Sequence, residues 1–205
     1  MTSNRLEAFS DGVLAIIITV MVLELKVPQG NDLAALLHTS GTGLLTYLLS
    51  FVYIGIYWNN HHHMFLLTDR ISGGVLWANL HLLFWLSLYP FTTAWMDDSH
   101  LARVPVVVYG VNLLGAGVAY YVLQALIVRN EGGASALREA IGRDVKGRLS
   151  PILYGAGIAW ALLLGEDSRA GVWIAVFFYV CVAVMWLVPD RRIERVIREG
   201  TVSSP

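Results

Sequence analysis

The sequence predicts an all-α integral membrane protein of six transmembrane helices, and three observations carry that prediction. Hydrophobic residues make up 56% of the chain and charged residues only 14%, where a soluble domain carries about a quarter charged. The charge deficit is concentrated in long uncharged runs, so the mean hydropathy of +0.60 reflects segments rather than an even scatter. Polar breaks then divide these runs into stretches near the roughly 20 residues that a helix needs to cross the hydrocarbon core.

The first span is expected at about 7–26, ending at the break "VPQGND". The second, at about 41–63, ends just before "TDR", and the third covers about 72–95 before "MDDSHLAR". The fourth runs over about 104–128 and is followed by a polar stretch with room for a short surface helix near 136–141. The fifth, about 149–165, is the shortest, and "SRAGVW" separates it from the sixth at about 170–188. Pro90 is expected to kink the third span, and Gly115, Gly117, Gly155 and Gly157 to allow close packing of the fourth and fifth. Residues 1–190 thus form one membrane unit, and 191–205 a basic tail.

Orientation follows from positive charge in short loops. With both termini cytoplasmic, the inner side holds Arg5, Arg70, Arg129, Arg138, Arg143, Lys146, Arg148, Arg191, Arg192, Arg195 and Arg198. The outer side then holds only Lys26, Arg103 and Arg169. That asymmetry and the even number of spans agree on cytoplasmic termini and a location in the cell membrane.

Several classes are excluded or unsupported. The net charge of −1 comes with no basic patch of the kind that binds nucleic acid. A secretory signal fits poorly, because Glu7 and Asp11 precede the apolar run and no small-residue cleavage site follows it. The single cysteine, Cys181, forms no disulfide framework and reads as a small residue in an apolar run. Paired carboxylates, a nucleophile elbow and a phosphate loop are all missing, so the chain does not read as an enzyme and calls for no cofactor. Neither a regularly spaced arginine helix nor a TVGYG loop is present, and the two halves show no inverted repeat.

What remains is the placement of the polar residues inside the spans. On a wheel of 100° per residue centred on Ile16, Val20 and Gly12 lie about 40° away, Leu23 about 20° and Thr19 about 60°. Ser10 and Asp11 fall about 120° and 140° away, on the opposite half. An ionisable group in the membrane costs roughly 3 kcal/mol even on insertion scales, so Asp11 is expected to point into protein and find donors. The topology brings three clusters to one depth: Ser10 and Asp11; Trp58, Asn59, Asn60, His61, His62 and His63; and Trp77, Asn79 and His81. Three readings of that level are open. Metal binding is disfavoured, because three consecutive histidines splay by 100° each and neither Glu nor Cys completes a ligand set. A proton relay through Asp11 and the histidines is a second reading. A hydrogen-bonded network that locks the first three spans together, with tryptophan indoles as donors, is the third and simplest.

The segments "RLEAFSDGVLAI", "YWNNHHHMF" and "WANLHLLFWLSLYPF" resemble the transmembrane protein 175 family of potassium channels. The resemblance covers spans one to three; spans four to six match in number and apolar character. It implies a homotetramer whose pore is lined by the first helix, with no P-loop. It also implies a constriction at Ile16, five residues after the aspartate of Phe9-Ser10-Asp11, with further pore-facing layers at Thr19, Val20 and Leu23. Arg5 and the Phe9-Ser10-Asp11 motif would pack against the second and third helices rather than face the ion path. The expected mechanism is passive flow of potassium through an apolar neck, with the permeant ion near Ile16 and Thr19 and no fixed metal. Its partners are a second copy of the chain, lipid and potassium. The alternative is a proton-coupled transporter using Asp11 and the histidines of the second span.

Overall fold

The structure is a computed structural model that describes residues 3–68, 71–132, 135, 137–138, 144–164 and 169–187. The basic tail at 191–205 and, apart from Leu137 and Arg138, the short helix expected near 136–141 lie outside the described residues. Seven helices are described: α1 (Ser3–Leu23), α2 (Leu33–Leu66), α3 (Gly73–Ser87), α4 (Tyr89–Asp98), α5 (Arg103–Glu131), α6 (Val145–Leu163) and α7 (Arg169–Leu187). Helix α1 packs against α2, α3 and α4, while α5, α6 and α7 form a second group joined to the first through α3, α4 and α2.

The boundaries differ from the sequence expectation in ways that local chemistry explains. Helix α1 begins at Ser3 rather than near residue 7, so all its polar residues are helical. Helix α2 begins at Leu33 rather than near 41, because Asp32 caps it by accepting from the Ala35 N–H at 2.8 Å. Its 34 residues extend about 51 Å, well beyond a hydrocarbon core of about 30 Å. The third expected span is two helices that meet at Leu88, which closes α3 and opens α4. Pro90, in the first turn of α4, has no N–H to continue the α3 ladder, so the chain restarts there. Taken together, Gly73–Asp98 remains long and apolar enough to cross a membrane, as are α1, α2, α5 and α7. Helix α6 falls short of that standard among the described residues. Its opening turns carry Lys146, Arg148 and Ser150, leaving too short an apolar remainder.

The junction of the two helix groups is rich in tyrosine. Tyr53, Tyr89, Tyr109 and Tyr179 are fully buried. Tyr53 Oη donates to the Tyr179 carbonyl at 2.6 Å, which ties α2 to α7. Ser50 Oγ bonds to Thr93 Oγ1 at 2.6 Å and to Tyr109 Oη at 3.0 Å, joining α2, α4 and α5. Buried hydroxyls require such partners, and here they fix how the two groups meet. Of the four glycines expected to permit close packing, Gly115 and Gly157 do so. A β-carbon at Gly115 would lie 2.5 Å from the Trp85 ring, and one at Gly157 2.9 Å from Tyr179. Gly117 is in ordinary contact, and Gly155 faces open space.

Candidate functional site: the two sides of the first helix

Helix α1 is apolar over most of its length, yet only one side of it is covered. Leu6, Ser10, Leu14, Ile17 and Met21 are buried, and their three- and four-residue spacing defines the covered side. On the other side Ile16 is 63% exposed, Leu23 81% and Val20 38%, with Thr19 and Gly12 also exposed. Thr19 Oγ1 donates to the Ile16 carbonyl at 2.8 Å, which commits its hydrogen to the backbone and leaves the oxygen facing outward. Ile16 and Val20 also border a groove of about 850 Å³ whose far wall is Pro90, Phe91, Ala94 and Trp95 of α4.

The covered side carries a polar seam through three helices. Ser10 Oγ donates to the Leu6 carbonyl at 2.9 Å and accepts from Asn79 Nδ2 of α3 at 2.9 Å. Asn79 Oδ1 in turn bonds to His61 Nε2 of α2 at 2.8 Å. An amide oxygen only accepts, so His61 holds its proton on Nε2, and its Nδ1 has no hydrogen-bond partner among the described residues. Asp11 lies beside the same histidine closely enough to act on its ring electrostatically. Its Oδ1 is buried and has no hydrogen-bond partner among the described residues. A second link runs from His62 Nδ1 to Glu7 Oε1. Glu7 was absent from the expected cluster, although its position four residues before Asp11 puts it on the same side of α1.

Several residues assigned to the polar level stand elsewhere. Phe9 is 51% exposed on the Ile16 side, because seven residues amount to two turns and leave it about 20° from Ile16. Arg5 is exposed, and Trp77 is exposed on the far side of α3 from Asn79. Trp58 is half exposed and stacks beside His62. His81 is exposed and accepts from Trp85 Nε1 at 3.0 Å, so that indole serves its own helix and not the seam. Asn59 is half-buried without a hydrogen bond among the described residues, whereas Asn60 donates to the Ile56 carbonyl at 2.8 Å. No cluster of three or more His, Cys, Asp or Glu able to hold a metal occurs among the described residues.

Comparison with known proteins points to one family, whose animal relatives, at 32% identity for that of Homo sapiens, are named endosomal/lysosomal proton channels. The family model described as "Endosomal/lysosomal potassium channel TMEM175" matches residues 5–90. A potassium channel of Chryseobacterium sp. is 51% identical over 200 residues, covering 98% of this chain and all of that protein. A potassium channel of Streptomyces collinus is 34% identical over 128 residues, 59% of this chain and 62% of that one. Among solved structures, a lysosomal potassium-selective channel TMEM175 homolog from Chamaesiphon minutus aligns with a TM-score of 0.73 at 29% identity. That alignment covers 92% of this chain and 97% of the other.

Proposed function

The chain belongs to the TMEM175 family, and from that premise we propose that it is a potassium-selective channel conducting passively through an apolar neck built by α1. Four copies assemble around a central axis, each turning Ile16, Thr19, Val20 and Leu23 toward it, and no P-loop filter is involved. The observation that carries this reading is the uncovered side of α1. Ile16, Val20 and Leu23 are exposed in the single chain, although nothing about their chemistry suits water. The groove beside α4 supports it too, since it leaves room for a neighbouring copy next to Ile16. The chain is a membrane protein, and the proposed setting is the cell membrane with both termini cytoplasmic.

The mechanism follows from dehydration. A ring of Ile16 side chains excludes water, so a cation sheds part of its hydration shell to pass, with no carbonyl cage to replace it. Potassium holds its water less tightly than sodium and loses less on entry. Selectivity then arises without tight binding, and dewetting of the same ring closes the path. The outward-facing oxygens of Thr19 offer partial solvation one turn beyond the neck. The seam at Ser10, Asn79 and His61 keeps each α1 in register so that the four Ile16 side chains meet at one depth.

Reconstituted flux tests this directly. Potassium should flow down its gradient through wild-type protein in liposomes, without stoichiometric proton movement. Ile16→Asn should raise sodium permeation relative to potassium by about tenfold while the oligomer stays intact. Unchanged ion preference in that variant would place the neck elsewhere, and uphill potassium flux driven by protons would make the protein a transporter.

A further inference from the structure

At the end of the molecule opposite the N-terminus, α2 and α7 diverge around a second cavity of about 660 Å³. Its walls are mostly apolar, formed by Leu45 and Leu49 of α2 and by Val172, Val176 and Val180 of α7, with the hydroxyls of Thr42 and Thr46 among them. Tyr179, which lines the cavity, accepts at its carbonyl from Tyr53 Oη, a contact that joins α2 to α7. Its rim carries one fixed positive charge, Arg169 of α7, beside two imidazoles, His38 of α2 and His100 of the α4–α5 turn. His100 and Leu101 both adopt left-handed backbone, at φ 51° and 59°. That turn packs Leu101 into the core and leaves His100 exposed at the mouth.

Among the described residues no Asp or Glu lines this cavity. Asp98 is paired with Lys26 at 2.6 Å, Asp97 is buried against Gly43, and Asp32 caps α2. Arg169 makes no ion pair among the described residues. The depth is informative as well. From His38 to Leu49 on α2, and from Arg169 to Val180 on α7, the cavity follows about eleven residues, or about 16 Å. That is about half of a hydrocarbon core of roughly 30 Å, the reach of one leaflet. Trp173, 54% exposed beside Arg169, is the kind of side chain that sits at the headgroup level.

We propose that this cavity is a binding site for one anionic phospholipid, with an acyl chain between α2 and α7 and its headgroup phosphate held by Arg169, His38 and His100. Lipid fits better than a second copy of the chain because the walls are mostly apolar to one leaflet's depth and the positive charge is confined to the rim. A guanidinium and two imidazoles offer a phosphate several N–H donors, and Arg suits it best through paired hydrogen bonds. The inference requires only that the helices cross a bilayer. Ion conduction through α1 stands or falls separately.

Native mass spectrometry of the detergent-purified protein, given equal amounts of dioleoyl phosphatidylglycerol and dioleoyl phosphatidylcholine, tests the site. Wild-type protein should retain the anionic phosphatidylglycerol preferentially, and Arg169→Ala combined with His38→Gln and His100→Gln should reduce that preference about tenfold. Leu45→Trp, which fills the cavity from an exposed position, should lower retention of both lipids. Each variant should keep the lipid-free melting temperature of wild type; its loss would reassign these residues to structure and overturn the proposal. Equal retention of the two lipids by wild type would overturn it, as would an unchanged preference in the triple variant. Displacement of the lipid by inorganic phosphate would reduce the site to a phosphate site. A disulfide between copies of Trp173→Cys, made in a Cys181→Ala background, would make this face a subunit contact instead.

Discussion

Along the covered side of α1 the chain sets Ser10 among Leu6, Leu14, Ile17 and Met21, whereas the uncovered side runs Phe9, Ile16, Val20 and Leu23, with Thr19 and, near its start, Arg5 as its polar groups. Both sides are apolar enough for a bilayer, so hydrophobicity does not separate them. Polar atoms do. On the covered side three side chains from three helices bond to one another in a chain, Ser10 to Asn79 to His61, which specifies a single register. On the uncovered side the Thr19 hydroxyl bonds back to the Ile16 carbonyl of its own helix, and no hydrogen bond among the described residues ties that side to another helix. The difference teaches that this helix is anchored by hydrogen bonds on one side and leaves the other for whatever lies outside the chain.

The sharpest way to break that comparison is Asn79→Leu. The substitution removes the acceptor of His61 Nε2 and the donor to Ser10, both in a buried site. A buried group left without its partner costs about 1–3 kcal/mol, so the loss should be about 3 kcal/mol and visible as a lower melting temperature and a poorer yield of assembled protein. Ile16→Asn, on the uncovered side, should change the stability of the separate subunit by less than about 0.5 kcal/mol. If the two variants melt together, the two sides do not differ in the way argued.

Next in size is Gly115→Ala, which probes the contact between α3 and α5. The new β-carbon would sit 2.5 Å from the Trp85 ring, closer than such atoms approach, so the ring or the helix must shift. Overpacking of this kind costs about 1–3 kcal/mol, and about 2 kcal/mol is expected here in a thermal melt. Gly155→Ala in α6 is the matched control. It faces open space and should gain slightly in helix propensity instead. A loss at Gly155 equal to that at Gly115 would show that both glycines serve flexibility rather than close approach.

These contrasts also show what could be read from residues alone. The apolar stripe of α1 and the opposition of Ser10 to Ile16 follow from 100° per residue, so they were legible. The restart at Pro90 was legible too, because a missing N–H acts locally. The start of α2 could have been found, since Asp32 stands before a good helix former and accepts from Ala35 N. Other features depend on which way a helix turns in the assembled bundle, and no local rule reports that. Trp77 and Asn79 are two residues apart, yet one is exposed and the other is fully buried. His62 finds Glu7 because α1 and α2 meet at that angle. The tyrosine layer at Tyr53, Tyr89, Tyr109 and Tyr179 gathers side chains from four helices, and only the tertiary arrangement brings them together.

The smallest expected effect lies at the far end of α1, where Lys26 pairs with Asp98 at 2.6 Å. Both side chains are well exposed, and a surface pair in water is screened and contributes little. Asp98 raises the Lys26 amine above its ordinary value, through a hydrogen bond and then through its charge. The contribution of a raised base is fully present below its unfolded value and is lost as pH rises through the folded one. The pair therefore stays intact at neutral pH, and loss of the lysine's charge releases it in strong alkali. The end of α1 is held instead by the Lys26 backbone, whose carbonyl accepts from the buried Ser40 hydroxyl at 2.5 Å. Lys26→Ala leaves that carbonyl in place and should not move the melting temperature at physiological salt. Ser40→Ala removes the donor and should lower stability by about 1 kcal/mol. If the order of the two variants is reversed, charge rather than backbone hydrogen bonding fixes this end, and the principle drawn from the covered side does not extend along the helix.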